Sequence, residues 1–195
     1  MPASKSFVPR REAEPGASVA WAPMDQFLYI GVAVVAGLIS ATQVGLIGAI
    51  TRERGPFEAT WISMLASLAG MALLLGVMSA LGHSPSLPLP FGILWIYVVL
   101  LAVMGGSLVI AGQGLPHYVL LTGLTSIPYL LAASWTGPKI GIAVFFAAVV
   151  TGQLVGSVAL DHIGAFGATP RPVDLFRGVG IVALVLGVVL IRGRG

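Results

Sequence analysis

Residues 26–50 read QFLYIGVAVVAGLISATQVGLIGAI, and no charged side chain falls among them. About 20 apolar residues in helical form span the hydrocarbon core of a bilayer, so this stretch is long enough to cross one. Five further apolar runs follow, at about 57–81, 91–111, 116–134, 138–160 and 175–191. A soluble chain of 195 residues could not bury six such runs, so lipid must be their solvent. The runs do not alternate as the strands of a membrane barrel do. The expected fold is all-α: a polytopic helical membrane protein of about six transmembrane helices over residues 26–195, behind a mobile polar tail at 1–25.

Composition agrees. Hydrophobic residues make up 57% of the chain and charged residues only 9%, against about 25% charged in ordinary globular proteins. Mean hydropathy is +0.99. The 26 glycines suit helices that pack closely in lipid. Net charge is +3, but the basic residues sit in tails and short loops, so they speak of membrane orientation rather than nucleic acid. There is no cysteine, which excludes disulfides, thiolate metal sites and iron–sulfur clusters. The three histidines, His83, His117 and His162, are too far apart to suggest a metal site. No cofactor is expected. No phosphate-cradling loop or catalytic triad is visible, so the chain does not read as an enzyme. The tail, with four prolines and mixed charge, does not read as a signal peptide.

An even number of helices returns both termini to one face. Lys5, Arg10, Arg11, Lys139, Arg192 and Arg194 fall on that face, and Arg52, Arg54, Arg171 and Arg177 on the other. The excess favours cytoplasmic termini in a bacterial inner membrane, and the narrow margin also allows insertion both ways round. Gly55-Pro56 and Gly137-Pro138 are read as the starts of helices 2 and 5, because proline is well tolerated in a first turn. Pro128 lies inside helix 4 and is expected to kink it. Gly37-Leu38-Ile39-Ser40 before Gly55-Pro56 echoes Gly123-Leu124-Thr125-Ser126 before Gly137-Pro138. The two lie three helices apart, as in an inverted repeat, but their spacings differ by four residues.

A family resemblance is carried by the second half. Gly137-Pro138-Lys139-Ile140-Gly141 leads into helix 5, which ends Gly152-Gln153, Ser157, Asp161-His162-Ile163-Gly164, before a last helix with Arg177-Gly178 and Gly187. Pro116-His117-Tyr118 with Gly123 lies upstream, and Gln43 in helix 1 is a partial match whose companion position holds Ile47. This pattern resembles the short YdcZ-type branch of the drug/metabolite transporter superfamily. The resemblance takes in residues 116–191 and, more thinly, 27–81. It leaves out helix 3, which reads as an insertion. It implies a half-transporter bundle with one extra helix, which moves a small metabolite or drug by alternating access, as a homodimer. A different reading is a non-transporting accessory subunit of a larger membrane complex, motivated by that extra helix. The partners expected are membrane lipid, a small-molecule substrate and a second copy or a larger complex, with no nucleic acid.

Function must then lie in the few polar groups at membrane depth. Gln43 and Gln153 are buried amides that either join helices or line a path. Gly152 and Gly156 allow close helix approach, and Ser157 shares the Gln153 face by four-residue spacing. These, with Tyr129 beside Pro128, are the candidate substrate-binding residues. Asp161 and His162 could relay a proton, or could be a polar helix end. Glu58 is a third proton-coupling candidate, or a first-turn carboxylate that complements the helix dipole and pairs with Arg52 or Arg54. The other aromatics, Trp61, Trp95, Tyr97, Tyr118 and Trp135, read as interfacial belts.

Overall fold

The structure is a computed structural model that describes residues 23–83 and 85–192. The tail reading at 1–25 lies mostly outside these residues. The described residues form six α-helices: α1 Pro23–Arg54, α2 Pro56–Ala80, α3 Leu94–Ala111, α4 Ser126–Ile140, α5 Ile142–His162 and α6 Leu175–Arg192. A 3-10 segment, His117–Gly123, precedes α4, and a 3-10 turn, Ala165–Gly167, follows α5. Helices α1, α2, α3 and α5 are each long and apolar enough to cross a membrane. The 3-10 segment and the 15-residue α4 follow one another between α3 and α5. α6 is shorter, about 27 Å long at 1.5 Å per residue. The protein is a polytopic helical membrane protein.

Contacts at the helix ends fix their directions. Lys139, at the end of α4, donates to the Tyr29 hydroxyl near the start of α1 (2.9 Å). Arg52, at the far end of α1, donates to the Phe166 carbonyl beyond α5, and Arg54 to the carbonyls of Ala111, the last residue of α3, and Gln113 just after it. Arg177 at the start of α6 meets Asp161 at the end of α5. One face of the bundle therefore carries Lys139, and the other carries Arg52, Arg54, Asp161 and Arg177. Two buried clusters fill the interior. One joins α1 to α4 and α5 around Ala36, Ala132, Phe145 and Ala148; the other joins α1 to α2 around Leu46, Ile50, Ala59 and Ile62. α3 lies at the edge against α2; Tyr97 is its one buried residue, and half of its residues are exposed.

The fourth and fifth helices depart from the expected bounds. α5 does not begin at Gly137-Pro138; α4 runs through Pro138 and stops at Gly141. Gly141 has φ 84° and ψ 149°, close to the φ 95° and ψ 168° of Gly55 between α1 and α2. Only glycine takes such a backbone without penalty. The break therefore follows the glycine that can turn the chain, and Pro138 is accommodated in the last turn of α4.

Pro128 acts differently from a kink within a helix. It occupies the first turn of α4, and the irregularity lies just before it. The proline has no N–H for the Leu124 carbonyl, and its ring crowds that group, so the preceding chain tightens into 3-10 form. Hydroxyls serve carbonyls of this segment: Thr125 donates to Thr122 (2.6 Å) and Ser126 to Gly123 (2.6 Å).

Candidate functional site

Two helix seams close the bundle through glycine. Along α1 and α5, a Cβ added at Gly37 would overlap the Val149 carbonyl oxygen and stand 2.9 Å from the Gln153 nitrogen. A Cβ at Gly152 would in turn overlap the Val34 carbonyl. Gly156 rests on Leu38 and Ala41. Ala33 and Ala148 are fully buried nearby. The two backbones touch because these residues are small, as close helix packing in lipid requires. Beside this seam the Gln153 Nε2 donates to Ser40 Oγ at 3.0 Å, linking the middles of both helices.

The second seam joins α2 to the 3-10 segment and α4. A Cβ at Gly123 would overlap the Ser63 carbonyl oxygen and the Ser67 nitrogen. Ser67 and Ser126 share a hydrogen bond at 3.0 Å, and Ser67 Oγ also lies 3.1 Å from the Gly123 carbonyl. The Thr122 hydroxyl beside it is fully buried with no hydrogen-bond partner among the described residues.

Three expected site residues meet in one place. A groove of about 370 Å³ runs between α1 and α5, with Ala41, Val44 and Leu154 among its apolar walls and Gln153, Ser157 and Asp161 along its length. Residues four apart share a helix face, which is how one helix presents an amide, a hydroxyl and a carboxylate in a row. Ser157 donates to the Leu154 carbonyl (3.0 Å), leaving its oxygen able to accept. Asp161 Oδ2 lies 3.6 Å from Arg177 Nη1, and its side chain is 45% exposed at the groove's outer end. The groove thus passes from a hydrogen-bonded amide at mid-membrane to an ion pair at the Arg52 face.

The other expected residues lie elsewhere. Gln43 is half-buried on a different side of α1 and has no hydrogen-bond partner among the described residues. The Tyr129 ring packs 6.2 Å from Phe145 against the α1–α4–α5 core, outside the groove. His162 does not pair with Asp161. Adjacent helical residues point about 100° apart, and its Nδ1 accepts from the Val173 N–H at 3.3 Å. Glu58 is exposed beside Arg54 and Trp61 but forms no ion pair with Arg52 or Arg54, which are turned to backbone carbonyls.

Sequence reading missed two features. Lys139 lies 4.4 Å from the Tyr29 ring centre and 4.7 Å from that of Trp135, a cation held between aromatics where α1 meets α4. Trp135 is thus part of a specific contact rather than only a lipid-interface residue. At the opposite face Phe166 sits in left-handed backbone (φ 57°), uncommon for a bulky residue, with its carbonyl held by Arg52 and its ring against Gly45. The aromatic residues at 29 and 135 and the lone basic residue at 139 were legible; their meeting required the fold.

With this geometry in place, comparison with known proteins decides the family. Residues 89–190 match the family model described as "Putative inner membrane exporter, YdcZ". The chain belongs to the YdcZ family. The match opens before α3 and takes it in, so α3 is not an insertion into the YdcZ pattern; α1 and α2 are the helices outside the matched stretch. It covers the Gln153–Asp161 stripe but not the α1 wall of the groove. No curated protein and no solved structure matches the chain.

Proposed function

We propose that the protein is a secondary transporter that exports a small metabolite or drug-like solute across the bacterial inner membrane by alternating access. The observation that carries this reading is the α1–α5 groove, where Gln153, Ser157 and Asp161 line one path inside an otherwise apolar span. Polar groups at this depth are costly in lipid and mark solute pathways when they face a cavity. Gln153 and Ser157 contact the solute, and Asp161, released from Arg177, exchanges a proton or a cationic group. Gln43 and Tyr129 are weaker substrate-binding candidates, and His162 and Glu58 weaker coupling candidates, because none of the four lines the groove.

The chain works without cofactor or catalysis, in keeping with membership of an exporter family. Its small size supports a homodimer, and the distribution of basic residues supports cytoplasmic termini. The accessory-subunit reading loses its motive, because α3 falls within the family match.

The test uses cells that express the protein, the Gln153→Leu variant or neither, with mass spectrometry of small molecules in the medium. Export predicts at least one solute that accumulates outside only with the unaltered protein. A Gln153→Leu protein that reaches the membrane folded and exports that solute at full rate removes Gln153 from the path.

A further inference from the structure

The two seams match residue by residue. Adding 86 to a residue number carries Gly37 to Gly123, Leu38 to Leu124, Ser40 to Ser126, Gly55 to Gly141 and Gly70 to Gly156. It also carries Ser63 to Val149 and Ser67 to Gln153. The contacts follow the same rule. Gly37 presses on Val149 and Gln153, and Gly123 presses on Ser63 and Ser67. Ser40 is hydrogen-bonded to Gln153, and Ser126 to Ser67. Gly156 rests on Leu38 and Ala41; Gly70 rests on Leu124 and Ile127. Gly55 and Gly141, with nearly the same backbone angles, each separate the first helix of a set from the second. The two buried clusters share the equivalent pairs Leu46/Ala132, Ala59/Phe145 and Ile62/Ala148.

The sets run in opposite directions through the membrane. α2 starts on the Arg52 face and α5 on the Lys139 face, and Ser63 and Val149 are each the eighth residue of their helix. Each seam therefore begins about 10 Å inside a different face of the bundle. The groove past Gln153 is exposed at its Asp161 end, on the face opposite the one nearest its own seam.

We infer that α1–α3 and α4–α6 are inverted repeats, and that the Gly37/Ser40–Val149/Gln153 and Gly123/Ser126–Ser63/Ser67 seams are equivalent gates that open one at a time, toward the Lys139 face and the Arg52 face respectively. This rests on the transport reading and adds to it a second, hitherto unassigned set of working residues: Ser63, Ser67, Gly123 and Ser126. Inverted repeats that rock against each other around a central site give alternating access.

The chain has no cysteine, so single reporters are clean. Ile50→Cys and Thr136→Cys occupy equivalent, fully buried positions toward the Arg52 and Lys139 faces. Each is labelled with a membrane-impermeant maleimide in membrane fragments open on both sides, alone or with a wedge at one seam. Gly37→Leu should raise labelling at position 136 about tenfold and leave position 50 unchanged, and Gly123→Leu should do the reverse. Wedges that raise both reporters equally, or neither, overturn the inference. If a wedge does not fold, a Ser67→Cys/Ser126→Cys disulfide takes its place: it should lower labelling at 50 and spare 136, and equal protection of both again overturns the proposal. Labelling needs no substrate. Absent solute export with the reciprocal labelling intact would overturn only the transport reading, whereas export with uniform labelling would overturn only the gates.

Discussion

The α5 side of one seam and the α2 side of the other do the same packing work with different chemistry. Along α5 the positions beside the seam are Gln153, Ser157 and Asp161; the equivalent positions along α2 are Ser67, Met71 and Leu75. Both helices accept a glycine of a neighbouring helix against their backbone, and both hold a serine of that helix by a hydrogen bond. A serine is sufficient for the clasp at α2, and apolar side chains are sufficient beyond it. The amide, hydroxyl and carboxylate of α5 are therefore more than helix packing requires. The internal repeat acts as a control within one chain, and it separates groups that hold the fold from groups left for a solute.

The largest effect is expected where the seams are alike. Gly37→Leu and Gly123→Leu should each destabilise the folded protein by about 3 kcal/mol, the upper range for overpacking, as read by unfolding in mixed detergent. A large cost at one and almost none at the other would mean that the seams are not equivalent. Gln153→Ser, which gives α5 the residue of α2, should cost about 1 kcal/mol or less, since interhelical hydrogen bonds in membranes average about 0.6 kcal/mol, yet should lower export severalfold. A smaller change, about 0.5 kcal/mol, is expected for Lys139→Met, which removes the cation from between Tyr29 and Trp135. Its equivalent, Glu53→Met, should change stability less still, because no aromatic pair stands at the equivalent positions, Leu115 and Ala49.

Much of the fold was legible because lipid imposes long apolar runs with few charges. Helices 1, 2, 3 and 6 were placed to within a few residues. The boundary between α4 and α5 was not, since Gly137-Pro138 carries the same signal as Gly55-Pro56. What distinguishes them is the positive φ at Gly55 and Gly141, a backbone property that sequence does not display. That one shift also hid the repeat. Measured to Gly141 instead of Gly137, the second spacing equals the first.

The site was legible in part for a similar reason. Gln153, Ser157 and Asp161 share a groove because four-residue spacing on a single helix needs no tertiary knowledge. Gln43 and Tyr129 could not be placed relative to them, because that depends on how α1 and α4 are rotated about their axes. The Ser67–Ser126 clasp was invisible for the same reason, with 58 residues of chain between its partners. The proline at 128 was noticed, but its effect reaches backward into the preceding turn rather than bending the helix that contains it.

The most direct test converts the face of α5 into that of α2 with the double substitution Ser157→Met and Asp161→Leu, and measures stability and solute export on the same preparation. The double variant should fold with stability within about 1 kcal/mol of the original, since a partly exposed ion pair is worth about 0–1 kcal/mol, and should export nothing. Export at the original rate from the folded double variant would contradict this, for the groove's polar stripe would then be ornament to the packing rather than the path of a solute.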